Sequence, residues 1–305
     1  MISLKKTLGA LAIAAALVPV AASAKDYRLG LITPPPHQWT KTAQAFSDVI
    51  AEKTDGRVKI LIFPSGQLGN ESQMLQQLQT GALDFAFLTV GEMVNRRADY
   101  GALLAPYLVK DYDGAQAILN GPIAQGLLGD LKSLGLVGLG WGMAGLRQVA
   151  MANDVSSVED LKGRKVRIIP IQTERDFWTM VGSAPTPMPL PAVYDAFANG
   201  QVDGMQIDFE LIWNAKYVDH AGTVIASNHM MLPMAAVASA RVWPTISEED
   251  RKIIEAELPG YLQKMLQSYE EIEAANLEKI KGTGVKVIEA DREWFGPAVD
   301  QWYEE

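Results

Sequence analysis

Residues 58–88 read VKILIFPSGQLGNESQMLQQLQTGALDFAFL, and their pattern decides the fold class. Val58-Lys59-Ile60-Leu61-Ile62-Phe63 is a short, mostly apolar run stopped by Pro64-Ser65-Gly66, the pattern of a strand. From Glu71 to Gln79 the residues Met74, Leu75 and Leu78 share one face of a helix, and Phe85-Ala86-Phe87-Leu88 follows as a second buried strand. Upstream, Tyr27 to Ile32 gives another buried strand that breaks at Pro34-Pro35-Pro36. Ala43, Phe46, Val49 and Ile50 then mark a helix between Trp39 and Thr54, which Gly56 ends. The order β-α-β-α-β predicts a parallel or mixed sheet covered by helices.

The same style recurs downstream. Val137 to Trp141, Gln148 to Met151 and Lys165 to Ile169 read as strands, and a helix is expected to start at Ser157, with Glu159 and Asp160 in its first turn. A second α/β unit follows from this. Between Glu248 and Ile280 the apolar residues keep helical spacing through Ile254, Leu258, Leu262, Leu266 and Tyr269, interrupted by Pro259-Gly260. That segment reads as a helix, a kink or turn, and then a long helix.

The first residues predict export. Lys5 and Lys6 precede an apolar run from Leu8 to Ala22 that ends in Ala22-Ser23-Ala24, the order of a cleavable signal peptide. The run is shorter than the roughly 20 residues of a spanning helix, and it contains Pro19. With no cysteine after it for lipid attachment, the expectation is a periplasmic protein cleaved after Ala24, without stable membrane insertion. Removing those 24 residues, which carry two lysines and no acid, leaves 281 of 305 and moves the formal charge from −9 to −11. Such acidity argues against a nucleic-acid partner. Zero cysteines exclude disulfides and thiolate metal sites, and the length suits one large domain or two medium ones.

An enzyme reading finds little support. The three histidines, His37, His220 and His229, show no metal-ligand spacing. Gly138-Leu139-Gly140-Trp141-Gly142 loosely suggests a dinucleotide loop, but the third glycine is misplaced and no helix pattern opens there. No acidic loop motif supports calcium. A carboxylate pair is not excluded, because Asp and Glu are plentiful. The expectation is no cofactor, no metal and no catalysis.

Four segments carry a family resemblance: Pro64 to Gly69 running into Leu78 to Asp84; Gly145-Leu146-Arg147; Asp160 to Arg167; and Pro185 to Pro189 leading through Val193-Tyr194 to Gly200 to Gly204. In that order and spacing the chain resembles the DctP-type substrate-binding proteins of TRAP (tripartite ATP-independent periplasmic) transporters. The resemblance implies an α/β, two-lobed periplasmic binding protein fold with mixed sheets, hinge strands and a long helix shared by both lobes. One lobe would hold residues 25–144 plus 233–272, the other 145–232 plus 273–305, with the ligand cleft between them. The function implied is capture of a small organic acid and its delivery to the membrane subunits of a TRAP permease. A sensory protein that docks on a receptor is the alternative, and a hydrolytic enzyme a more remote one.

Carried over residue by residue, Arg167 matches the arginine that grips the ligand carboxylate in the family. The chemistry suits it: a guanidinium offers two parallel donors in the geometry of a carboxylate. Arg147 matches a second arginine near the ligand, with bracing of the hinge as the other reading. Thr89, Leu190 and Ile32 align with pocket-lining positions. Where many members continue after Val202-Asp203-Gly204 with a glutamate-asparagine-proline run, this chain has Met205-Gln206-Ile207-Asp208. Ile207 thus replaces a ligand-contacting amide, which points to an apolar or differently functionalised acid. Asp208 is a candidate acceptor for a ligand hydroxyl or ammonium, and Phe209, Trp213 and Trp39 are candidate aromatic walls.

Overall fold

The structure, a computed structural model, describes residues 25–305 of the 305-residue chain. The expected signal peptide and its cleavage site after Ala24 lie outside the described residues. The strands are β1 (Lys25–Gly30), β2 (Val58–Phe63), β3 (Phe85–Thr89), β4 (Leu136–Ala144), β5 (Gln148–Met151), β6 (Lys165–Ile168), β7 (Ala184–Pro187), β8 (Gly204–Ile207), β9 (Thr223–Ala226), β10 (Leu232–Ser239) and β11 (Lys286–Glu289). The helices are α1 (Gln38–Lys53), α2 (Glu71–Thr80), α3 (Val90–Val94), α4 (Tyr112–Asn120), α5 (Pro122–Asp130), α6 (Gln172–Met180), α7 (Val193–Ala198), α8 (Phe209–Asn214), α9 (Glu248–Lys281) and α10 (Ala298–Glu304).

Two mixed sheets make a two-lobed α/β fold. The first has the order β2-β1-β3-β10-β4, with β1 parallel to β2 and β3, and β10 antiparallel to β3 and β4. The second has the order β11-β9-β5-β8-β6-β7, with β5 antiparallel to both β8 and β9. The chain passes from the first sheet to the second between β4 and β5, returns between β9 and β10, and crosses again along α9 before β11. Helix α9 packs Leu258, Leu262 and Met265 into the core of the first sheet, while Ile280 at its far end enters a core of the second.

Helix α2 shows why the opening stretch reads so clearly. Asn70 accepts from the Gln73 amide and Gln73 returns the bond to Asn70, a capping box, and Gly81 ends the helix in the left-handed region at φ 79°. Met74, Leu75 and Leu78 are its buried face.

Two expectations need correction. The helix expected at Ser157 is a single 3-10 turn, Val158–Leu161: Asp160 accepts from Ser157 N at its start, and Gly163 turns the chain at φ 69° before a second turn can form. The long C-terminal segment is one helix of 34 residues, without a break at Pro259. Pro259, Gly260 and Glu255 all lie on the exposed side, where the Glu255 carbonyl that loses its helical donor faces solvent rather than the core.

The glycines of β4 also find their reason. A Cβ at Gly140 would come within 2.5 Å of Leu262 Cδ1, and one at Gly142 within 2.1 Å of Met265 Cε. Gly140 and Gly142 let α9 approach the sheet closely.

Candidate functional site

Ligands of open α/β sheets gather beyond the carboxyl ends of parallel strands, and a cavity of about 460 Å³ lies there between the two sheets. From the first lobe it is lined by Ile32 after β1, Glu71 at the start of α2 and Thr89 at the end of β3. From the second it is lined by Arg167 on β6, by Leu190, and by Ile207 and Asp208 at the end of β8. Arg147 reaches it from the β4–β5 crossing, and Trp39 from the first turn of α1.

The two arginines differ in their engagement. Arg147 donates from Nε to Gln206 Oε1 at 2.5 Å, from Nη1 to Asp208 Oδ2 at 2.8 Å and from Nη2 to the Gln206 carbonyl at 2.8 Å. Gln206 in turn donates from Nε2 to both oxygens of Glu174, at 3.0 and 2.8 Å, which fixes the amide so that its oxygen faces Arg147. Arg167, 3% exposed, donates from Nε to the Met188 carbonyl at 2.9 Å. Among the described residues its two terminal nitrogens have no hydrogen-bond or ion-pair partner. Burial pushes its pKa down to about 10, which leaves it cationic at neutral pH.

The carboxylates around it are held against ionisation. Glu71 accepts from Thr89 N at 2.5 Å and Thr89 Oγ1 at 2.8 Å, yet desolvation pushes it up to about 7, with Glu92 adding to the rise and Arg167 opposing it. Glu174 also rises to about 7 through burial, with Arg147 and Arg167 opposing.

Sequence expectation and structure part at α8. Asp208 caps that helix by accepting from Leu211 N at 2.7 Å, and its other oxygen holds Arg147. Beyond the cap each residue turns by about 100°, so Leu211 returns to the cavity while Phe209 and Trp213 share a different face. Phe209 is 5% exposed in the core of the second sheet, and Trp213 packs at its margin under Lys216, whose Nζ lies 5.0 Å from the ring centroid. Neither lines the cavity. Trp39 does, but its indole N–H is tied to the Met143 carbonyl at 2.8 Å.

Residues that pattern reading passed over include Glu71, Glu92, Arg96 and His37. His37 Nδ1 accepts from Trp39 N at 3.1 Å, and Nε2 lies 3.3 Å from Glu210 Oε2 at the start of α8. Glu210 also accepts from Gln38 N at 2.8 Å, so the two lobes meet there. The other histidines are elsewhere: His229 stacks on Phe177, and His220 is on the surface beside Tyr194.

Residues 29–305 match the DctP family, bacterial extracellular solute-binding protein, family 7. The chain is 26% identical over 304 residues to the sialic acid-binding periplasmic protein SiaP of Vibrio cholerae, covering 98% of this chain and 95% of the relative. It superposes on a TRAP periplasmic solute-binding protein of Xanthobacter autotrophicus Py2 with bound β-D-galacturonate at a TM-score of 0.86 and 29% identity, covering 91% and 93% of the two chains. A Polaromonas protein of the same kind, bound to D-erythronate, gives 0.87 and 28%, covering 92% and 93%.

Proposed function

The chain belongs to the DctP family of bacterial extracellular solute-binding proteins, and on that premise we propose that it is a periplasmic receptor that captures a small organic acid through Arg167 and hands it to a TRAP-type permease, without chemistry on the ligand. The observation that carries this is the Arg167 guanidinium: buried on a rigid strand, held by Nε, and presenting both terminal nitrogens unpartnered to a cavity of about 460 Å³. A carboxylate accepts two parallel bonds from such a fork, and closing the lobes removes the water that would weaken them. Ile32, Thr89, Leu190, Ile207, Asp208 and Trp39 form the surrounding wall, and Arg147 braces it. The lobes divide at the crossings, with residues 25–144 and 233–272 in one and 145–232 and 273–305 in the other.

The test is a thermal-shift screen of the protein against organic, sugar, keto and aromatic acids. A ligand that binds only the folded state raises the midpoint by mass action. One class of acid is expected to shift it, and Arg167→Ala to abolish the shift. An acid that shifts Arg167→Ala as strongly as the wild type would overturn the assignment.

A further inference from the structure

The proposed capture of an acid by Arg167 leaves the class of acid open, and the charges around the cavity narrow it. Among the described residues, Glu71, Glu92, Arg96, Arg147, Arg167 and Asp208 are the Asp, Glu and Arg side chains of its wall. Arg147 pairs with Asp208 at 2.8 Å and Arg96 with Glu92 at 3.2 Å. Without an ion-pair partner among the described residues are one cation of the wall, Arg167, on the second lobe, and one carboxyl, Glu71, on the first.

The rest of the wall adds little polarity. Ile32, Ile169, Leu190, Ile207, Leu211 and Leu232 are apolar. Several of the polar side chains are engaged: Asn70 caps α2, Thr33 pairs with Thr40 at 3.0 Å, and Asn95 donates to the Pro170 carbonyl at 3.1 Å. Thr89 gives both its donors to Glu71.

We infer that the ligand is a hydroxy monocarboxylate with an apolar middle: its carboxylate docks on Arg167, its hydroxyl on Glu71, and its hydrocarbon lies along Ile207 and Leu190. Such a molecule bridges the lobes through its two ends and so holds them closed. A dicarboxylate would bring a second charge to the Glu71 end of the cavity, where no cation free of a carboxylate partner offsets the cost of burying it. A polyhydroxylated acid would leave hydroxyls unpaired against isoleucine and leucine, each at the cost of desolvation. An ammonium at Glu71 is disfavoured because burying a full charge costs far more desolvation than burying a hydroxyl.

The inference rests on the acid-receptor reading, and calorimetry can separate the two. Matched probes are butanoate, 4-hydroxybutanoate, 4-aminobutanoate and butanedioate, their six-carbon counterparts, and gluconate. The hydroxy acid is expected to bind about tenfold more tightly than its parent monoacid, and the diacid at least about tenfold more weakly than the hydroxy acid. Glu71→Ala should erase the hydroxyl advantage while leaving the parent acid bound. Glu71→Gln, whose amide offers a donor to the second carboxylate, should relieve the diacid penalty. If diacids, amino acids or gluconate match or exceed the hydroxy acids, or if only acids outside this set bind, the inference falls while capture by Arg167 stands. If no acid binds at all, the underlying reading falls with it.

Discussion

The Arg147 guanidinium donates from Nη1 to Asp208 Oδ2 at 2.8 Å in a place sealed from solvent, the two residues being 2% and 0% exposed. Asp208 does two jobs there, since its other oxygen accepts from Leu211 N at 2.7 Å and starts helix α8. Removing one partner of a buried ion pair strands the other, a loss of about 3–5 kcal/mol in known cases. Asp208→Ala should therefore lower stability in urea denaturation by that order, with loss of the helix cap included. Asp208→Asn keeps an acceptor for Leu211 but not the charge, so it should fall between wild type and alanine. Equal stability of all three would show that Arg147 is balanced by other groups.

Pro259 sits inside α9 with its ring exposed. An interior proline removes one helical hydrogen bond and crowds the preceding turn, at a cost near 3 kcal/mol in an exposed helix. Pro259→Ala should therefore stabilise the protein by about 1–3 kcal/mol, read as a raised urea midpoint at an unchanged slope. A fall in stability would mean that α9 needs a bend at this point to reach both lobes.

The fold was legible where local chemistry and burial agree, as in α2, whose cap, apolar face and terminal glycine all mark the same ends. The helix expected at Ser157 failed because a cap signals only a start, and Gly163 ends that segment before a second turn forms. In the site, the family motif singles out Arg167, whereas its free terminal donors depend on Met188, whose carbonyl takes Nε alone through the tertiary fold. Glu71 was passed over because a glutamate in the first turn of a helix is what the helix dipole favours anyway. Phe209 and Trp213 turn into the core because the chain changes from strand to helix at Asp208, whose N-cap signal, followed by Glu210 in the first turn, is hidden when Asp208 is read as a ligand acceptor. Glu210 and His37, far apart in sequence, meet only through the tertiary fold.

Glu210 makes stability depend on pH. Burial, with Asp208 nearby, pushes it up to about 8, while Lys41, Lys279 and the Gln38 amide pull the other way. A carboxyl whose folded pKa lies above its unfolded value adds stability that is complete below the unfolded pKa, near 4.5, and is lost as pH rises through about 8. Glu71 and Glu174, both raised to about 7, act in the same direction. His37, lowered to about 4 by burial, destabilises only as pH falls below its ordinary 6.5. Between pH 6.5 and 8 the carboxyls therefore act alone among these groups, and stability should decline. Urea midpoints at the two pH values should fall less in Glu210→Gln, which keeps an acceptor for Gln38 N. Parallel declines in both proteins would assign the effect to the other carboxyls that burial raises, Glu71, Glu92, Glu174 and Glu273.

Ile207 closes β8, is 0% exposed and contributes to the cavity wall. The family resemblance sets this position against the asparagine of many members, and on that reading isoleucine lacks an amide that could meet ligand hydroxyls. Ile207→Asn should reverse the preference: gluconate or galacturonate should gain affinity, and acids with an apolar middle should lose it. The gain depends on the ligand pairing with the new amide, since an unpaired buried amide costs about 1–3 kcal/mol. Ligand-free stability should accordingly drop by that order, and a sugar acid that satisfies the amide should restore part of it. Calorimetry on both proteins with hydroxy acids and sugar acids side by side reads the two effects. An unchanged ranking of ligands in Ile207→Asn would show that position 207 does not touch the bound acid and that selectivity is set elsewhere in the wall.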